Sequence, residues 1–590
     1  MIASLRSMLI AASLLASIAP LYAQSAACAN PASVPFPLSN PGFEGAFGAA
    51  TGCSNVSGAV ASGWTDNTCW DPALPTIRYA RDPIRPHGGE SSQRISLKAG
   101  SRMQFGQFLS TPLERGRRYS ISFWMRGEVS SFVAVELREQ GPPYRTFSSK
   151  LVRLKPRWTE YVFDVHADAV DAVLLFIATK PVTFSVDDVA FCSVASPNPL
   201  PPSTPIPRSN FGMHFNQLDT PWPAVGDAIG MTRIWDAGPN LDGSSNGSQW
   251  VDINSTEGAY DWSGLDARVN AATTRGVDVI YTLGGRTPRW ASARPDEPSP
   301  YGEGQAAEPR NMQIWRDWVR TVATRYRNQI KYWEIWNEPD LTSFFSGTPD
   351  KLVSLGRVAY QEIKRVDPNL IVVSPGFSGF PGTAWLDYYL SRGGGRFADI
   401  IAYHSYVDRP EEVFEWRTAT ILATLERHGA SGKPLWNTEQ GWLDVGASPV
   451  IPFPPEKSKG YVARSHLLSW ATGFKNFSYY TWDNEWSQIL FTGSDRATLT
   501  PAGKAYREIA AWMRGNVMES LTVDGGGTYV ATLRYPDTRR ARAIWNPSRT
   551  FAFPIPSSWG ATVVRDLEGG SVLLGGATTV NVGEAPLLVE

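Results

Sequence analysis

Residues 332–340 read YWEIWNEPD, and about a hundred positions later residues 435–442 read LWNTEQGW. Each is a short apolar, aromatic-rich run that delivers a glutamate, Glu338 or Glu439, where the chain leaves the run. Two carboxylates carried on separate strand ends are the equipment for cleaving a glycosidic bond. One protonates the departing oxygen, and the other stabilises or attacks the cationic anomeric carbon.

The surrounding pattern supplies the elements to position them. After a segment at 196–208 in which six of thirteen residues are proline, strand-like and helix-like stretches alternate. Strands are predicted at 211–215, 232–235, 277–283, 332–336, 370–374, 400–404, 434–437 and 477–482. Helices are predicted at 312–326, 351–366, 413–428 and 457–471 among others. Eight strands each followed by a helix predict a (β/α)8 barrel over 209–515, with active-site residues at the C-terminal strand ends. An open doubly wound sheet is the structural alternative, but it would want a glycine-rich phosphate loop after its first strand, and the sequence has none there. Glu338 and Glu439 close the fourth and seventh strands, on opposite sides of the expected barrel mouth. Residues 516–590 return to β runs and predict a small C-terminal β domain, which can draw its first strand from ahead of the barrel.

Before the proline-rich linker, residues 28–195 show short alternating runs broken by Gly and Pro, the pattern of an antiparallel sandwich. Residues 1–23 carry Arg6, an apolar stretch and small residues near Ala23, and so predict a cleaved secretory signal and a secreted or periplasmic protein. Four cysteines, Cys28, Cys53, Cys69 and Cys192, then suggest two disulfides, with Cys53–Cys69 and Cys28–Cys192 favoured among three connectivities. Lipid attachment at Cys28 is a rival reading, weakened by the lack of an apolar residue at Ser25. No run after the leader is long enough to span a membrane. Lys plus Arg number 55 against 56 Asp plus Glu, so no global field attracts nucleic acid or anionic lipid. The 23 tryptophans suit either large cores or stacking against sugar rings. Trp64, Trp70, Tyr79, Trp124 and Tyr144 are candidate sugar platforms in the first segment, with Trp124 favoured for the core.

With these residues in view, Trp336-Asn337-Glu338-Pro339, Glu439 and His404-Ser405-Tyr406 together resemble clan A glycoside hydrolases. Within the clan the barrel is most similar to glycoside hydrolase family 39, through FGMHF at 211–215, GAYDWSGLD at 258–266, LGGRTPR at 283–289 and ATRYRNQIKYWEIWNEP at 323–339. The resemblance implies Glu338 as acid/base, Glu439 as nucleophile and retention at the anomeric carbon. It further implies that Asn337 holds the 2-hydroxyl, that Tyr406 or His404 orients Glu439, and that Trp482 floors the sugar subsite. Arg233 would supply positive charge beside the nucleophile, or equally neutralise Glu334. No metal is implied for catalysis. NPGFEG at 40–45 and SVDDVAF at 185–191 resemble sandwich-type carbohydrate-binding modules, which would nominate Glu44 and Asp188 as ligands of a structural Ca2+. The combined expectation is a monomeric endo-acting hydrolase of a bacterial exopolysaccharide or hemicellulose. An exo-acting β-xylosidase and a catalytically silent polysaccharide-binding protein are the alternatives.

Overall fold

The computed structural model describes residues 25–590 apart from positions 52, 71, 73, 74, 101, 129, 130, 197, 218, 239–246 and 380. The expected export signal lies outside the described residues. Among them no helix is long and apolar enough to cross a membrane.

The centre of the chain is a curled parallel sheet. Its strands are β1 (Phe211–His214), β2 (Met231–Ile234), β3 (Asp278–Thr282), β4 (Tyr332–Glu334), β5 (Ile371–Val373), β6 (Ile401–His404), β7 (Leu435–Gln440) and β8 (Phe474–Tyr479). They run in the order β5-β4-β3-β2-β1-β8-β7-β6, with the two-residue strand Phe377–Ser378 beside β6. A parallel bridge between Val373 and Ile400 joins the two ends, so the sheet curls back towards itself. Met231, Ile280, Tyr332, Val373, Ile400, Ala402 and Trp436 form one buried apolar cluster. Strand side chains alternate in facing with a period of two. The same faces therefore continue two residues further along as Arg233, Thr282, Glu334, His404 and Thr438, all buried. An apolar floor below and a layer of polar groups above it follow from that alternation.

Outside the sheet lie α1 (Ser263–Thr273), α2 (Met312–Tyr326), α3 (Pro349–Val366), α4 (Pro381–Ser391), α5 (Thr418–Arg427), α6 (Pro455–Ala471) and α7 (Pro501–Met513). Their starts are written in the sequence. Asn311 accepts from the backbone N–H groups of Gln313 and Ile314, and Thr348 and Thr500 cap helices whose first residue is proline. The helix expected at 413–428 is present, its first turn the π-helical Val413–Arg417 and its remainder α5.

Ahead of the parallel sheet, an eight-stranded sheet and a five-stranded sheet enclose a core that includes Phe43, Trp64, Phe105, Phe123 and Phe176. Cys28–Cys192 and Cys53–Cys69 are bonded, so the Cys28 thiol is not free for a lipid. Trp64 and Tyr79, expected among the sugar platforms, are buried in this core. The Trp64 indole turns inward and donates to the Asn40 carbonyl at 3.0 Å, which satisfies its one polar atom. Trp124 is half-buried against His87. Trp70 and Tyr144 are exposed and, with Phe108, Arg138 and Gln140, line a cavity of about 500 Å3.

These N-terminal sheets pack on the helices that follow β4, β5 and β6. Lys150 pairs with Asp387 at 2.6 Å, Arg153 with Asp350 at 2.6 Å, and Phe147 meets Trp416 edge to face. At the other end, Val517–Val523, Tyr529–Arg534, Arg540–Trp545, Leu587–Val589, Val563–Arg565 and Ser571–Leu573 form a six-stranded sheet. Its strands all follow α7. Among the described residues the chain ahead of the parallel sheet contributes a bridge from Ile206 to Arg514 but no strand to this sheet, so the first strand is not borrowed from there.

Candidate active site

The two glutamates converge. Glu338 stands four residues beyond the end of β4, held by a hydrogen bond from its own N–H to the Gly376 carbonyl at 2.9 Å and by a left-handed φ of 37°. A non-glycine residue in that region is uncommon and is retained where the surroundings fix it. Glu439 lies within β7. One carboxylate oxygen of each, together with an imidazole nitrogen of His404, lie within 4.8 Å of one another.

Each carboxylate has its own set of partners. Glu439 receives Arg233 Nη1 on Oε2 at 2.6 Å and the Tyr406 hydroxyl on Oε1 at 2.8 Å. His404 Nδ1 lies 2.8 Å from Glu338 and 3.9 Å from Glu439. Of the two residues expected to orient Glu439, Tyr406 does so, while His404 serves Glu338. The bare Cα of Gly376 makes room for that imidazole, since a Cβ there would lie 2.3 Å from His404 Nε2. Arg233 performs both of its alternative tasks. Its Nε bonds Glu334 at 2.8 Å while Nη2 donates to Asn337 Oδ1 at 2.8 Å. Thr282 and Thr438 complete the Glu334 carboxylate at 2.7 and 2.8 Å. Asn337 is thereby oriented with its buried Nδ2 unpartnered among the described residues. Trp482 is 4% exposed and stacks on Phe491, near Phe215.

Five neighbours are not singled out by the sequence. The Ser378 hydroxyl hydrogen-bonds Glu338, and the Ser378 N–H donates to Asp340 Oδ1 at 2.9 Å. Asp236, just beyond β2, accepts from Asn216 Nδ2 at 2.6 Å and from the Tyr480 hydroxyl. Only Asp340 had a local signal, its place in the NEPD run.

Burial works against charge on both glutamates. At Glu338 the bonds from His404 and Ser378 outweigh it and hold the carboxyl below its ordinary value. At Glu439 burial prevails, aided by the Glu338 charge and opposed by His404 and Arg233, and lifts the carboxyl to about 7. Burial also raises Asp236 to about 6 and, with the charges of Asp236 and Glu338, the Tyr301 phenol to about 12.

In the N-terminal sheets Glu44 and Asp188 face one glycine turn. Glu44 Oε1 accepts from the N–H groups of Glu90 and Ser91 at 2.8 and 3.2 Å, and Asp188 Oδ2 lies 2.6 Å from His87 Nδ1. A Cβ at Gly88 would fall 2.5 Å from Asp188 Oδ2, and one at Gly89 1.9 Å from Glu44 Oε1.

Residues 264–420 match the family model described as glycosyl hydrolases family 39. That segment contains Asn337, Glu338, His404 and Tyr406 and stops short of Arg233 and Glu439. An endo-1,4-beta-xylanase 1 of Gibberella zeae is 29% identical over 94 residues, which are 16% of this chain and 24% of that protein. The chain thus spans about a quarter of the length of that curated relative. A family 39 β-xylosidase from Caulobacter crescentus has a TM-score of 0.48 at 17% identity, covering 66% of this chain and 97% of that one. A family 39 enzyme from Xanthomonas axonopodis pv. citri has a TM-score of 0.43 at 15% identity, covering 65% and 94%. Over residues 264–420, within its parallel-sheet unit, this chain is therefore similar to glycosyl hydrolases family 39.

Proposed function

We propose that this chain is an exported, monomeric, retaining glycoside hydrolase that cleaves internal β-linkages of a polysaccharide, with Glu338 as acid/base and Glu439 as nucleophile. The observation that carries it is the approach of the two carboxylates to within 4.8 Å. Retaining pairs stand about 5–5.5 Å apart, whereas an inverting pair leaves about 6.5–9.5 Å for water. Hemicellulose of the xylan type is the first substrate to test, since the named relative over residues of this chain is a xylanase.

In this reading the pair carries one proton in the working state. Tyr406 and Arg233 favour the charged form of Glu439, and His404 touches both carboxylates. Catalysis draws on the arrangement with the proton on Glu338 and the charge on Glu439. Attack by Glu439 on the anomeric carbon then coincides with protonation of the leaving oxygen by Glu338. With Glu439 esterified and neutral, Glu338 acts as base toward water. Asn337 Nδ2 is free to donate to the sugar 2-hydroxyl, and Trp482 would border the sugar.

The same reading divides the chain into a cleaved leader (1–23), a carbohydrate-binding sandwich (28–195), a linker (196–208), a closed (β/α)8 barrel (209–515) and a β domain (516–590). Trp70 and Tyr144 are the platforms the sandwich would use. Glu44 and Asp188 would hold a structural Ca2+, for which their hard oxygens converging on one tight turn are suited; the ion would brace the fold and take no part in catalysis. The test is to assay reducing ends after incubation with a panel of β-linked polysaccharides. Activity lost in Glu439→Ala is expected. Wild type and Glu439→Ala equally inert across the panel would replace the enzyme with a binding protein.

A further inference from the structure

We propose that the N-terminal sheets are a working part of the catalytic site, because Asp168 holds the loop that presents Tyr406 to Glu439. The inference rests on the glycosidase reading and adds to it a role for the N-terminal sheets other than sugar capture. The loop leaves β6 at His404, offers the Tyr406 hydroxyl to Glu439, and reaches Arg409 three residues later. Arg409 crosses to the N-terminal sheets, where its Nη2 lies 3.5 Å from Asp168 Oδ2, while its Nη1 bonds Glu415 at 3.2 Å. Asp168 is 7% exposed and also receives Arg115 Nη2 at 2.6 Å and Arg145 Nη2 at 3.5 Å. Both arginines return across the junction, Arg145 to Glu412 at 2.9 Å and Arg115 to Glu415 at 3.1 Å. On the other flank, Trp442 of the chain after β7 donates to the Asp408 carbonyl at 3.2 Å. Tyr406 is therefore suspended between the β7 loop and the N-terminal sheets.

A module that only raised local substrate concentration would need no more than the proline-rich tether. Here the junction instead interleaves guanidinium groups and buried carboxylates from both sides, and its members on the barrel side, Arg409, Glu412 and Glu415, all lie within nine residues of Tyr406. Asp168 is the carboxylate that Arg115, Arg145 and Arg409 share; without it Arg409 keeps only Glu412 and Glu415 of its own side, and the loop loses its direct tie to the N-terminal sheets. Asp168 and Arg409 are positioning residues in this scheme, acting through Tyr406. Glu439, whose titration reports on them, is faced by Arg233 from β2, Asp236 beyond it, Tyr301, Glu338, His404 and Tyr406, and Tyr480 beyond β8.

The test uses Asp168→Asn and, from the other side of the junction, Arg409→Gln in the full chain. Substrate is an aryl glycoside too small to reach the N-terminal sheets. The expected result is a fall of about tenfold in kcat/KM and an upward move of its basic limb by about one pH unit. Asp168→Glu should recover part of both, and amide exchange at residues 405–409 should quicken in the two disrupted variants. Variants that melt earlier yet keep the wild-type pH profile and loop exchange would overturn the inference and leave an ordinary interface. If wild type hydrolyses no glycoside, the glycosidase reading fails instead, and loop exchange alone decides whether the junction holds the loop.

Discussion

Replacing Tyr406 by phenylalanine removes one hydroxyl and leaves the ring, so the consequence for Glu439 can be worked out from a single bond. The hydroxyl donates to Oε1 at 2.8 Å inside a buried site. Hydrogen bonds to charged groups contribute about 1.5–3 kcal/mol. One pKa unit corresponds to about 1.4 kcal/mol, so the loss amounts to about one to two units at Glu439. The sign follows from which form is favoured. The bond stabilises the carboxylate, so its loss raises a pKa already lifted to about 7. A pair that works with one proton loses activity as pH rises through its upper pKa. The basic limb of kcat/KM, expected near 7 in wild type, should therefore move to about 8–9. The maximum should fall by about ten- to a hundredfold, because the arrangement with a charged Glu439 becomes rarer by that factor. The assay is kcat/KM against pH on an activated aryl glycoside. A basic limb that stays in place, or moves down, would refute the assignment of that limb to Glu439 and the role of Tyr406 with it.

Three further outcomes follow from the same geometry. Glu338→Ala should spare aryl glycosides with good leaving groups far more than natural linkages, since such groups need little protonation; equal losses in steady-state kinetics would contradict the acid/base role. Arg233→Met leaves Glu334 and Glu439 buried without their cation and should cost about 3–5 kcal/mol in denaturant unfolding, with the Arg233→Met, Glu334→Leu pair costing less than the sum of the singles. The folded-state pKa of Glu439 stands above its ordinary 4.5, so its contribution to stability is present below about 4.5 and lost as pH rises through about 7. Wild type should thus lose up to about 3 kcal/mol over that window, and Glu439→Gln should not, as thermal melts at pH 5 and pH 8 can establish.

Much of the parallel sheet was legible because its strands are continuous apolar runs bounded by turn residues. The strand of Glu338 is predicted at 332–336 and observed at Tyr332–Glu334, and α2 spans Met312–Tyr326 as its 3.6-residue apolar spacing requires. Glu338 and Glu439 were readable for the same reason, since each terminates a run that no other part of the chain explains. Their supporting groups were not. Ser378 sits in a strand of only two residues, and Asp236 and Tyr480 in loops, none with a readable periodicity, and they meet the glutamates only because the sheet curls. The choice between Tyr406 and His404 turned on side-chain direction, which spacing along β6 does not fix. Trp64 misled because its Gly- and Asp-rich setting marks a loop, while burial depends on what the loop covers, and here it closes over Phe43 and Phe105.

The Cys28–Cys192 bond spans 164 residues and encloses the partners of the Cys53–Cys69 bond. A chain crossing into an oxidising compartment amino end first offers Cys28, Cys53 and Cys69 to one another well before Cys192 emerges. Native pairing therefore demands that Cys28 wait or be reshuffled. Recombinant material made in a reducing cytosol would lack both staples, and material oxidised without a disulfide isomerase would carry mispaired forms. A preparation intended for kinetics should be checked for free thiols and bond connectivity before any activity, or lack of it, is attributed to the glutamates.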